Sequence, residues 1–328
     1  MSVDSGIKLA YLRIVIVAQT DIEWPPFKGA LLRGSFGKIL RGMVCLRSGE
    51  ICKECVIKFT CPYSYLFESP SRSGSGWSAS YDPHPFIIEP PLDDQQVYEA
   101  GTAASMGLIL VGKAVEYLPY FLLAFEEMGR RGIGRRRGKF IVKEVAARQE
   151  HEESIIYNIS SGHLSEQIPL VELQTTDSVE DVGDIQSVAI RLLTPTRLQS
   201  GGGIIRAVEF ETLIRALLRR YSWLSAIYCG ETPQLPYERL LEIARRQVKL
   251  AGSALHWRHY ERYSFRQQRK QNLGGLLGAM RYEGCVAPFA WLLRLGEYLH
   301  IGKGTVFGNG MYRIELEKQK DGKGEALV

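Results

Sequence analysis

Four cysteines, Cys45, Cys52, Cys55 and Cys61, fall within 17 residues in the spacing C-x6-C-x2-C-x5-C. Four thiolates so grouped satisfy a tetrahedral Zn2+ or the irons of a cubane cluster, so these residues are the expected ligands of a structural zinc or an iron–sulfur cluster. Spacing leaves the choice between the two metals open. Cys229 and Cys285 stand apart and read as core residues.

A second pattern lies towards the C-terminus, where residues 302–310 read Gly-Lys-Gly-Thr-Val-Phe-Gly-Asn-Gly. Gly302, Gly304, Gly308 and Gly310 permit positive φ and close backbone approach, so successive N–H groups can face phosphate oxygens, with Lys303 adding a charge. The segment lacks the GxxxxGK[ST] of a Walker loop. A strand is expected after it where a dinucleotide fingerprint needs a helix. The chemistry it suggests is phosphate binding.

Charge distribution says more than the formal net charge of +5. Residues 130–139 carry six cations and no anion, among them Arg130, Arg131, Arg135, Arg136 and Arg137, whereas residues 149–190 contain no Lys or Arg. Residues 245–270 set eight cations against the single Glu261. Within that stretch Arg258, Arg262, Arg266, Arg269 and Lys270 are interleaved with Trp257, Tyr260, Tyr263 and Phe265. Cations neutralise phosphates and aromatic rings stack on bases, so the mixture suits single-stranded RNA.

These residues need a scaffold, and the apolar periodicity supplies one. Residues 9–18 are rich in Val, Ile and Leu and read as a strand. After Pro25 and Pro26, the positions Phe27, Leu31, Leu32, Phe36, Ile39, Leu40 and Met43 predict a helix with one buried face, which also carries Lys28 and Arg33. Residues 86–89, 104–111 and 139–145 read as strands and 117–128 as a helix. The order restarts with a strand at 186–193, a strongly periodic helix at 210–224, a helix at 237–251, a long polar hairpin at 255–282, a helix at 288–300 and a final strand at 311–316. Each half thus predicts the split βαβ order of a ferredoxin-like domain, in an α+β chain. The expected division is a first domain at 1–149 with a Cys-rich insertion at 44–65, an acidic connector at 150–184, and a second domain at 185–328.

The glycine loop with Leu295-Gly296-Glu297-Tyr298-Leu299-His300-Ile301 before it, together with Gly274-Gly275-Leu276-Leu277-Gly278, Leu193-Thr194-Pro195-Thr196 and Gly132-Ile133-Gly134-Arg135-Arg136-Arg137-Gly138, resembles the RAMP superfamily of CRISPR proteins. Within it the chain is similar to the Cas-six endoribonucleases. The resemblance implies tandem ferredoxin-like (RRM-like) domains and metal-independent cleavage of CRISPR repeat RNA. The RNA's own 2′-hydroxyl would attack the adjacent phosphate, leaving a 2′,3′-cyclic phosphate and a 5′-hydroxyl. Repeat RNA is the implied partner, with other CRISPR effector subunits beside it, for a chain acting as a monomer or homodimer.

Such a reaction needs a base near the 2′-oxygen, an acid near the 5′-oxygen and cations about the phosphorane. Many members carry a working histidine in the first helix, but residues 26–43 here contain neither His nor Tyr. His256 and His259, on the basic hairpin beside Tyr260, are the expected catalytic residues, with His300 as their rival. The missing first-helix histidine keeps a second reading in view, a non-catalytic RNA-binding subunit, and a nucleotide or metal-cluster protein is a third. The N-terminus lacks the pattern of a signal peptide, and no stretch approaches the roughly 18 apolar residues of a membrane span, so a soluble cytoplasmic protein without a membrane partner is expected.

Overall fold

The computed structural model describes residues 6–47, 49–68, 83–149, 152–173, 185–200, 203–205, 207–264 and 269–318. In the first half, β1 (Ile7–Ala18), β2 (Ile22–Glu23), α1 (Lys28–Val44), β3 (Phe86–Glu89), β4 (Val97–Tyr98), β5 (Ala103–Val111), α2 (Leu118–Arg131) and β6 (Phe140–Gln149) follow one another. Then come β7 (Glu152–Asn158), β8 (His163–Leu164) and β9 (Val171–Leu173). The sheet order is β3-β5-β1-β6-β7-β8, with β9 pairing the start of β1, and every pairing is antiparallel. Residues 152–158 and 163–164, within the stretch expected as an acidic connector, thereby extend the first sheet. The acidic residues 174–184 lie outside the described residues.

Strand β1 explains how two halves share one frame. Successive side chains of a strand leave opposite faces, so Ala10, Leu12, Ile14 and Ile16 enter the core with α1 and α2. Leu9 instead joins the core of the second half. Helix α1 begins after the Pro25–Pro26 pair, where a missing N–H costs nothing. It buries Leu32, Phe36, Ile39 and Leu40, and the Phe36 ring stacks on Phe121 of α2 at 4.6 Å. Truncating such a buried ring to Ala costs about 3–5 kcal/mol.

The second half contains β10 (Ile185–Thr196), β11 (Gln199–Ser200), β12 (Gly203–Ile204), α3 (Phe210–Leu224), α4 (Tyr237–Arg246) and β13 (Val248–Arg258). It closes with β14 (Glu261–Ser264), β15 (Arg269–Asn272), β16 (Gly275–Gly284), α5 (Ala290–Leu299) and β17 (Tyr312–Lys318). Its sheet runs β13-β16-β10-β17, again antiparallel. The strand order repeats that of β3-β5-β1-β6 in the first half. The helix expected over 237–251 ends at Arg246, because the chain from Val248 pairs with β16. The polar hairpin is therefore longer than its composition suggested.

Candidate nucleic-acid interface

The ladder between β10 and β16 breaks between Leu192 and Thr196. Pro195 has no N–H to continue it, and the Thr194 hydroxyl takes over. Thr194 Oγ1 donates to the Gly308 carbonyl at 2.6 Å and accepts from Met311 N–H at 2.9 Å. Gly275 lies so close behind that a Cβ there would stand 2.5 Å from Thr196 N. The short motifs around Thr194, Gly275 and Gly308 thus lock into one another.

The loop at 302–310 is a packed element, which corrects its expected role as an open phosphate cradle. Lys303 N–H bonds to Arg197 O, Phe307 N–H to Gly304 O, Gly308 N–H to Thr305 O and Gly310 N–H to Pro195 O. These donors are consumed inside the protein. Gly308 and Gly310 are buried, at φ 78° and 74°, and a Cβ would stand 2.3 Å from Pro90 Cδ and 1.8 Å from Ile301 O respectively. Glycine is required there by backbone contact. Gly302, Lys303, Gly304 and Phe307 remain half-buried at the rim.

The N-terminal end of α1 meets this loop. A Cβ on Gly29 would fall 1.9 Å from Phe307 O, and the Arg33 guanidinium lies 4.6 Å from the Phe67 ring centre and 5.1 Å from that of Phe307. Lys28 is corrected from an RNA clamp to a structural cation. It is 6% exposed, binds the Asp93 carboxylate at 3.0 Å and the Asp93 carbonyl, and lies over Tyr98. Burial would raise the Asp93 carboxyl, but hydrogen bonds from Tyr98 and Lys28 outweigh it and hold the group below its ordinary value.

The basic hairpin reaches the same end of α1. Phe27 and Tyr260 have ring centroids 5.6 Å apart, and the exposed Arg258 guanidinium sits 5.2 Å from the Tyr260 ring centre. Burial pushes the Tyr260 phenol above its usual value despite the opposing charge of Arg258. The two expected catalytic histidines are both exposed but leave the chain differently. Leu255 and Trp257 pack on the core, so alternation directs His256 to the opposite face of β13. His259, just past the strand, has its ring 6.1 Å from that of Trp257. Arg262 lies in β14, and Arg269 and Lys270 in β15, which pairs with it; Arg266 lies outside the described residues.

The Arg-rich turn of the first half completes the surroundings. Ile133 and Gly138 bridge it, and Gly134 packs against Glu23 O with Leu31 of α1 nearby. Arg130 and Arg131 both bind Glu127, at 2.7 and 2.5 Å, and Arg136 binds Glu23 at 2.9 Å. Among the described residues Arg135 and Arg137 are exposed without an ion pair.

His300 is removed from any substrate. It is fully buried, its Nδ1–H donates to Asn309 O at 3.1 Å, and its Nε2 shares a proton with Glu89 Oε1 at 2.8 Å. The sequence carried no sign of Glu89, which sits among apolar residues in β3. Cys45, Cys52, Cys55 and Cys61 line one small cavity beside α1.

Residues 190–312 match the family described as CRISPR-associated endoribonuclease Cas6, and residues 7–169 match an N-terminal domain family. A solved Cas6 product complex superposes with a TM-score of 0.56 at 15% identity, covering 94% of this chain and all of that one. Over residues 190–312 the chain is thus similar to Cas6. A Thermus thermophilus Cas6 aligns with 94% of it and 99% of its own length, at 14% identity and a TM-score of 0.54. At these identities the structural likeness is one of fold. An uncharacterized protein of Archaeoglobus fulgidus is 24% identical over 300 residues, 88% of this chain and 92% of its own. Among the described residues no helix is long and apolar enough to cross a membrane.

Proposed function

We propose that this chain binds CRISPR repeat RNA and cuts it without a catalytic metal, by attack of the RNA's 2′-hydroxyl on the adjacent phosphate. The observation that carries this reading is the convergence at the start of α1. Gly29 meets the glycine loop, Phe27 meets the Arg258–Tyr260 corner, and Leu31 lies beside the Arg-rich turn. The matching strand orders support reading the halves as tandem ferredoxin-like domains. Cations and rings from both domains then face one strand of RNA, with Arg258, Lys303, Arg135 and Arg137 neutralising phosphates and Tyr260 stacking on a base.

In this reading His259 takes the 2′-hydroxyl proton. Its neighbour Tyr260 has its phenol pushed above the usual value by burial, so it is protonated at neutral pH and, though a weak acid, holds a proton for the leaving 5′-oxygen. The bond formed joins the 2′-oxygen to phosphorus, and the bond broken frees the 5′-hydroxyl. A second reading, an RNA-binding subunit that does not cut, is favoured by the absence of His from α1 and the burial of His300.

Incubating the protein briefly with end-labelled repeat RNA in chelator and analysing the termini separates the two. Cleavage at one position with a 2′,3′-cyclic phosphate is expected. Tight, salt-sensitive binding with intact RNA would favour the second reading, and absence of affinity would overturn both.

A further inference from the structure

The described residues between 46 and 61 take a form that their apolar side chains do not explain. Between α1 and Pro62 the described chain forms only turns, closed by Glu54 N–H to Ile51 O, Cys55 N–H to Cys52 O, Lys58 N–H to Cys55 O and Cys61 N–H to Ile57 O. Apart from Ile57, which lines the cavity with the cysteines, its large apolar residues point outward. Leu46 is 84% exposed, Val56 75% and Phe59 73%. Main-chain bonds that water can replace do not hold so small a unit, which needs a core, a disulfide or a metal.

What points inward is sulfur. Cys45, Cys52, Cys55 and Cys61 line a single cavity of about 20 Å³. The cavity rim also carries Lys58 and the Arg47–Glu50 ion pair. A lysine beside the sulfurs favours their thiolate form, the form that binds a metal. The geometry points to a single Zn2+ bound by Cys45, Cys52, Cys55 and Cys61, which folds this insertion against the start of the core at Tyr63.

The space as it stands favours a single ion over a cubane cluster. A volume of this order accepts one small ion or water, whereas four irons with their bridging sulfides need several times as much. The Cys52–Cys55 turn, with its i to i+3 bond, presents two sulfurs from one loop, as zinc-binding C-x2-C turns require. Among the described residues no three His, Cys, Asp or Glu side chains already stand at ligand geometry. Binding therefore draws the four sulfurs together by side-chain rotation about one ion. Four thiols release four protons to solvent, and the site carries a double negative charge that Lys58 at its rim partly offsets.

Metal analysis of the full chain, expressed with both zinc and iron in the medium, tests the assignment. About one zinc per chain is expected, released as a mercurial reagent titrates the thiols, and cobalt substitution should give the intense visible bands of a tetrahedral tetrathiolate. Cys52→Ser with Cys55→Ser should lower zinc at least tenfold, while Cys285→Ser keeps it. The mercurial titration of the unmodified chain reads the site even where the double variant fails to fold. Iron with acid-labile sulfide, cysteines recovered as disulfides, or a chain without metal would each overturn the proposal.

Discussion

Glu89 Oε1 lies 2.8 Å from His300 Nε2, both buried, although 211 positions separate them in the chain. Glu89 is the last residue of β3 in the first half, and His300 caps the C-terminal end of α5 in the second at φ 58°, a conformation that residues other than glycine seldom adopt. A Cβ on Gly107 would stand 2.0 Å from the other carboxylate oxygen of Glu89, so the pair is confined on both sides. It pins the glycine loop to β3 of the first half through Asn309.

Removing one partner should leave the other buried and uncompensated. Glu89→Ala is expected to cost about 3–5 kcal/mol in denaturant unfolding. Glu89→Gln, which retains an oxygen acceptor for Nε2–H, should cost less. A double variant Glu89→Gln with His300→Gln that is less stable than the sum of its parts would contradict a direct pairing.

Gly29→Ala tests whether α1 positions the glycine loop. The added Cβ meets the Phe307 carbonyl, which is backbone and cannot turn aside. Repeat-RNA affinity should fall about tenfold, equivalent to ~1.4 kcal/mol, as read by filter binding. Gly34→Ala on the same helix, where a Cβ meets nothing within 4 Å, should leave affinity unchanged.

The arginines of the Arg-rich turn should not contribute equally. Arg135→Ala and Arg137→Ala are each expected to reduce the slope of log affinity against log salt by about 0.7, the value of one phosphate contact to a single strand. Arg130→Ala should change it less, because Arg130 is already engaged with Glu127. Equal slopes for all variants would place the RNA elsewhere.

His259→Ala should slow cutting by about 100-fold or more while binding is retained, the usual scale of a lost proton-transfer group. His256→Ala should have a smaller effect, since alternation turns that ring to the other face of β13. Normal cutting by both variants, with intact RNA ends in neither, would remove the hairpin histidines from the mechanism.

Acid should loosen the Lys28–Asp93–Tyr98 cluster. The carboxyl of Asp93 is held below its ordinary value in the folded chain, so its contribution is fully present above the unfolded value of about 3.9 and is lost as pH falls through the folded one. Urea unfolding at several pH values should show this acid-side loss in the natural protein and a flatter curve in Asp93→Asn. Asp93 is partly exposed, so the difference should be modest.

Much of this molecule is written in local patterns. The alternation of β1, the three-and-four spacing of α1 and α3, the glycine loop and the interleaved cations and rings of the hairpin follow from residue type and spacing, because side-chain direction repeats every 2 or 3.6 residues. The boundary between α4 and β13 was not legible, since Val248 to Ala251 fit either element and only pairing with β16 chooses between them.

Long-range contact decided the rest. No spacing joins Glu89 to His300, tells Lys28 that Asp93 lies within reach, or spends the N–H groups of the glycine loop on Arg197 and Pro195. Sequence by itself determined which residues could meet a phosphate or a metal. Tertiary structure determined which of them are already occupied, because a buried polar group must find its partner within the protein wherever the chain brings one.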